Sequence, residues 1–269
     1  MAGCGELILS LLNWKTLLLV YALANVKNMH FMWHVRFLRA LIRRLTDPAP
    51  TKHLGPRCLF LSAISTTRSP MLECDYNMHK SNSTYFTDLD ISRGNFSLIL
   101  FSKLFNPFPG PDQFMMILGG AHCVWRKEIL PYRPYELWTR VLTWDDKWIY
   151  LISHFVKPGF KPEEYVMQPS SRTRRKATGT HVSKDPHKAV YASSVARYVF
   201  KNQRRTVPPE QVLRDCGLLP EDEAAFKEVE TLRLKKLPIA QLQCGWDMVH
   251  DLFEPADTAL GRYTDLWWR

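Results

Sequence analysis

Residues 73–85 read ECDYNMHKSNSTY and place Asp75, Asn77 and His79 at alternate positions directly before a segment of helical character. Such alternation sets three side chains on one side of an extended segment. A carboxylate there can activate water as a general base or attack a carbonyl directly. An amide can orient the carbonyl or the water, and an imidazole can move protons near neutral pH. Over residues 83–101 the apolar positions Tyr85, Leu89, Phe96, Ile99 and Leu100 follow helical spacing, and Asn82 or Ser83 is suited to cap the start. The first turn, at Asn82, Ser83 and Thr84, then offers backbone N–H groups and a positive dipole end to a developing oxyanion. Taken alone, the cluster fits capping and turn chemistry as well as it fits acyl hydrolysis.

Around this helix the pattern is that of strands. Residues 59–66 (LFLSAIST) predict a short strand before the motif, and the proline-rich run at 106–111 ends the helix. Downstream, FMMILGGAHCVWRKEI, YELWTRVLTWD, KWIYLISHFVKP and HKAVYASSVARYVFK are rich in β-branched and aromatic residues and predict four antiparallel strands. The pair Gly119-Gly120 marks a bulge or a close backbone approach. Residues 165–187 form a basic loop, and 221–236 a polar helical stretch followed by an aromatic tail at Trp267 and Trp268.

The motif resembles the signature of hotdog-fold thioesterases of the 4-hydroxybenzoyl-CoA and acyl-carrier-protein type, with matches at Asp75, His79, Asn82 and Tyr85. A second stretch, Trp125-Arg126-Lys127-Glu128, resembles the aromatic-Arg-Arg-Glu strand of those enzymes, whose Glu belongs to the catalytic group. In overall layout the chain is similar to proteins of the thioesterase-superfamily-member-6 type and their fungal relatives. The resemblance implies an α+β hotdog fold, a curved antiparallel sheet wrapped around a central helix, working as a homodimer. It implies hydrolysis of acyl-CoA or acyl-carrier-protein thioesters by Asp75, Asn77, His79 and Glu128, with Asn82, Ser83, Thr84 and Tyr85 binding substrate and with neither metal nor cofactor. Ser81 and Glu73 depart from the family pattern, which keeps open a non-catalytic acyl-binding or membrane-surface scaffold protein.

Before the motif, residues 7–26 (LILSLLNWKTLLLVYALANV) are nearly continuously apolar, interrupted by Asn13 and Lys15, and about the length that crosses a bilayer. Lys27, Arg36, Arg39, Arg43 and Arg44 follow, and the positive-inside rule then keeps the catalytic domain on the cytosolic side of an endomembrane. An amphipathic helix packed on the domain is the alternative. Pro48 and Pro50 set the boundary of a membrane-associating helix over 1–46, a hotdog domain over 47–210 and a helical C-terminal extension over 211–269. On that division, residues 1–46 are dispensable for folding. Six scattered cysteines fit reduced thiols, and the acceptor patterns at Asn82 and Asn95 fit chance. The net charge of +10 and pI near 9.4 suit an anionic membrane or a phosphorylated carrier. Without a zinc-finger or RNA-binding signature they do not indicate nucleic acid, and no G-x-S-x-G elbow points to an α/β-hydrolase.

Overall fold

The computed structural model describes residues 13–47, 49–104, 114–167, 186–243 and 251–264. Its longer helices are α1 (Trp14–Ala24), α2 (Met32–Thr46), α3 (Asn82–Leu100), α4 (Pro209–Asp215) and α5 (Glu223–Ala240), with one further turn of helix at Ala49–His53. The main sheet runs in the order β2 (Phe114–Trp125), β6 (Val190–Asn202), β4 (Ile149–Val156), β3 (Pro134–Trp144), β1 (Ala63–Arg68), β9 (Gly261–Thr264), and β7 (Arg205–Val207) pairs with β6. Every pairing in it is antiparallel except that of β1 with β9. A small parallel pair joins β5 (Glu164–Tyr165) to β8 (Thr258–Ala259).

The sheet lies against α3. Phe96 and Leu100 pack on Val141, Leu151 and Phe200, while Tyr85 and Leu89 pack on Tyr135, Leu137 and Phe155. This is the hotdog arrangement of one long helix held by an antiparallel sheet. Beneath the helix a polar band crosses the strands: Ser92 Oγ lies 2.9 Å from Thr139 Oγ1, which lies 2.8 Å from Ser153 Oγ, and Arg93 donates to Ser194 Oγ at 2.6 Å. The opposite face is covered too. Ala240 and Leu237 of α5 pack over Leu142, Tyr150 and Ile152, and Phe253 packs on Trp138. Burial on both faces explains why IYLISHFV in β4 has no alternation and is buried throughout. His154, within it, donates to or accepts from Ser193 Oγ at 2.8 Å.

Gly119 and Gly120 fulfil both of their expected roles. The β2–β6 register shifts between Leu118 and Gly120, and a Cβ on Gly119 would lie 2.1 Å from the Trp148 ring. Burial pushes the thiols of Cys123 and Cys216 up to about 12, and the four described cysteines, Cys58, Cys74, Cys123 and Cys216, form no disulfide among the described residues.

Several expectations need correction. The N-terminal segment is not one helix: α1 ends at Ala24, a 3-10 turn covers Val26–Asn28, and α2 restarts and packs on α3. Among the described residues no helix is long and apolar enough to cross a membrane; residues 1–12, the start of the apolar run, lie outside them. Lys27 and Arg36 do not flank a membrane span in solvent but are buried at 6% and 4% exposure. The C-terminal extension is not wholly helical, because β9 joins the main sheet beside β1. Most of the basic loop lies outside the described residues, as does the Trp267-Trp268 tail.

Candidate active site

Residues 75–79 fold into a tight turn rather than an extended strand, so the alternation of Asp75, Asn77 and His79 does not place them on one face. Asp75 N–H donates to His79 O at 2.9 Å and Met78 N–H to Asp75 O at 3.0 Å, with Met78 in the left-handed region at φ 61°. An isolated bridge between Cys74 and Lys80 closes the turn. Asn77 N–H donates to Asp75 Oδ1 at 2.9 Å, an Asx turn. Asp75 is half-buried and Asn77 exposed; the turn thus presents the carboxylate at the surface with one oxygen engaged. His79 is half-buried beside it.

The turn runs straight into the start of α3. Ser81 is the N-cap residue, yet its hydroxyl lies 3.2 Å from Ser83 Oγ and makes no capping bond. Thr84 instead folds inward, its Oγ1 donating to Ser81 O at 2.7 Å and to Glu73 O at 3.2 Å. Asn82 and Ser83 are exposed, leaving the positive end of the helix without a side-chain cap among the described residues. Tyr85 is a core residue, 2% exposed, with its ring 4.8 Å from Phe155 and 6.0 Å from Trp125, and burial drives its hydroxyl well above the ordinary tyrosine range.

The second matched stretch reaches the first. Glu128 lies beyond β2, which ends at Trp125, and is exposed in the following loop rather than borne on a strand. Arg126 and Lys127 N–H both donate to Tyr191 O, at 2.8 and 3.0 Å, and Lys80 N–H donates to Ile129 O at 2.8 Å. With the Tyr85–Trp125 contact, these bonds bring the Asp75 turn and the Glu128 loop together at one end of α3.

Directly beneath is a cluster for which the sequence holds no local signal. Lys27 Nζ lies 2.9 Å from Glu73 and 2.8 Å from Asp88; Lys80 Nζ lies 2.5 Å from Glu73 and 2.9 Å from Asp88; Arg36 lies 3.0 Å from Asp88. Tyr135 OH also donates to Asp88 Oδ2. Burial alone would raise the Asp88 carboxyl, but Lys27, Lys80 and Arg36 hold it well below the usual carboxylate range. Burial disfavours the Lys80 ammonium too, and Asp88 and Glu73 outweigh it, so its pKa is raised. The only hint in sequence was an aspartate on the buried side of an apolar helix; its partners Lys27, Arg36, Lys80 and Tyr135 come from four separate segments.

Residues 69–215, more than half of the chain, match the model of the thioesterase-like superfamily. The chain is 35% identical to thioesterase poxG of Penicillium oxalicum over 93% of its own length and 91% of that protein. It is 38% identical to the probable thioesterase atnL of Emericella nidulans, covering 76% of this chain and 72% of that one. A probable thioesterase of Saccharomyces cerevisiae is 31% identical, covering 80% and 85%. The chain belongs to the thioesterase-like superfamily. It is a hydrolase of the thioesterase class.

Proposed function

We propose that the chain hydrolyses acyl thioesters carried on coenzyme A or acyl-carrier protein, with Asp75 as general base or nucleophile. The supporting observation is the meeting of the Asp75 turn, the uncapped start of α3 and the Glu128 loop at one end of the helix, tied by the Lys80–Ile129 bond. As base, Asp75 takes a proton from water while the water oxygen attacks the thioester carbonyl. The oxyanion forms at the N–H groups of Asn82 and Ser83, since that of Thr84 already donates to Ser81 O at 2.9 Å, the C–S bond breaks, and the thiolate leaves and takes up a proton that His79 can relay. Asn77 and Glu128 orient the water and the carbonyl.

The working unit in this proposal is a homodimer. Support comes from β2, a 12-residue strand whose outer edge is unpaired among the described residues and therefore offers hydrogen-bonding groups to a second copy. The proposal also keeps the N-terminal segment as an interfacial membrane contact with a cytosol-facing catalytic domain. α1 buries none of its residues, and Val35, Leu38, Ile42 and Leu45 form an exposed apolar stripe along α2 beside Arg39 and Arg43.

The test is thiol release by the purified full chain from a panel of acyl-CoA and acyl-carrier-protein substrates. Asp75→Asn should lower turnover by about 100-fold or more with the fold unchanged by circular dichroism. Near-wild-type turnover in a well-folded Asp75→Asn protein overturns the assignment.

A further inference from the structure

Two pockets that share Trp33 lie along α3 beneath α2, one near the start of the helix and one near its C-terminus, and neither is lined by Asp75, His79 or Glu128; together they outline a cleft. Its floor is one face of α3, where Thr84, Thr87, Asp90, Gly94, Ser97 and Phe101 recur at intervals of three or four residues. The mouth, about 420 Å³, carries Lys27, His30, His34, Arg36, Glu73 and Thr87 among apolar side chains that include Phe31 and Trp33. The inner half, about 560 Å³, is apolar, lined by Trp33, Phe37, Leu41, Leu98, Phe101 and residues 114–118 of β2. Trp33 borders both halves. Its ring stacks on Phe37, with centroids 5.5 Å apart and planes within 8°, making a flat apolar wall. Gly94 lets that wall approach the floor, since a Cβ there would lie 2.7 Å from Phe37 Cε2.

The two halves match the two ends of one kind of ligand. From Thr84 to Phe101 the helix rises about 26 Å, enough for an extended chain, and the inner half alone has the volume of an ordinary small-molecule pocket. Under the mouth, three cations (Lys27, Arg36, Lys80) face two carboxylates (Glu73, Asp88), so the cluster favours an anionic or strongly polar head group. We propose that this cleft is the acyl-chain site: the aliphatic chain lies in the apolar half and the thioester end lies at the start of α3. The proposal rests on the thioester-hydrolase mechanism at Asp75 and adds that α2, which precedes the family-matched residues, determines chain length.

Two measurements on the full chain test it. A fatty acid bearing a photoreactive diazirine at its tail, irradiated with Asp75→Asn protein, should label peptides from residues 33–41 and 94–101. Ser97→Phe and Leu41→Trp, which fill the inner half, should weaken binding of a fluorescent long-chain fatty acid at least tenfold and lower the ratio of long-chain to short-chain kcat/KM by a similar factor. Labelling elsewhere, or both filled variants keeping wild-type probe affinity and chain preference, overturns the groove while leaving hydrolysis at Asp75 intact. Probe binding that the filled variants abolish, in a wild-type chain that turns over no thioester, keeps the groove and removes the hydrolytic assignment. A change in oligomeric state with probe affinity unchanged makes the cleft an interface between copies and also overturns it.

Discussion

Asp88 holds three cations in a space almost closed to water, and an ion cluster of this kind is judged by what happens when one member is removed. Asp88→Asn leaves Glu73 as the one carboxylate paired with Lys27 and Lys80 and removes the Arg36–Asp88 ion pair, and stranding buried charge costs about 3–5 kcal/mol. Chemical denaturation at pH 7 should show that loss; a loss below about 1 kcal/mol would mean the cluster is solvated and contributes little. In the wild type, the Asp88 contribution is present above the ordinary carboxylate value of 3.8 and is lost only as pH falls through its lower folded value. That of Lys80 is present below 10.5 and is lost as pH rises through its higher folded value. His122 behaves differently. Burial, and secondarily Arg93, lower it from 6.5 to about 4, so the folded state favours the neutral ring. Its contribution is present above about 6.5 and is lost as pH falls toward 4. His122→Asn should therefore flatten the dependence of unfolding free energy on pH between those values, and an unchanged slope in urea titrations would assign the dependence to other groups.

At the scale of elements, most of the sheet was legible because the strands carry their own chemistry. The four downstream segments became β2, β3, β4 and β6, and the helix expected over residues 83–101 is α3. The turn at Asp75 was not legible, because D-x-N-x-H spacing fits an extended segment and an Asx turn equally, and the backbone bonds to His79 decide between them. The fate of Lys27 and Arg36 was illegible for another reason: a basic run after an apolar helix looks alike whether it meets headgroups or buried carboxylates 46 to 61 residues away. That difference separates two truncations. Removing residues 1–24 deletes α1, which buries nothing, and should leave the melting temperature nearly unchanged while weakening sedimentation with anionic liposomes. Removing residues 1–46 strips Lys27 and Arg36 from Glu73 and Asp88, frees Leu72 N–H from Asn25 and uncovers the α3 face under Phe37. That protein should aggregate or lose its cooperative transition. If it stays soluble with wild-type stability, α2 is an appendage and the buried cluster does not hold the fold.

Over the whole molecule, the segments outside the family-matched residues 69–215 close the structure from both ends. β1 precedes the match and β9 follows it, and the two pair in parallel at the edge of the sheet, with Ala63 opposite Gly261 and Thr66 opposite Thr264. Leu260 N–H donates to Ser62 O at 2.9 Å, and Arg262 joins Glu136, Tyr165 OH at 3.0 Å and Phe160 O at 2.9 Å. The two flanking segments also meet each other, since the Arg43 guanidinium of α2 lies 4.9 Å from the Tyr263 ring centroid. Deleting residues 241–269 would retain α5 almost intact, so a separable helical extension predicts a folded product. The contacts predict the reverse. Phe253, Ala259, Leu260 and Tyr263 are buried, and their loss exposes Ile64 and Trp138 together with the unpaired edge of β1. Burying one large apolar side chain contributes roughly 1.5–3 kcal/mol, so removing several should exhaust the margin of about 5–15 kcal/mol that holds a domain folded. An open edge beside exposed apolar residues favours aggregation. The expected result is insoluble protein, or a melting transition lowered by at least about 10 °C. A soluble, cooperatively melting truncation would show that β9 docks on a sheet already complete without it.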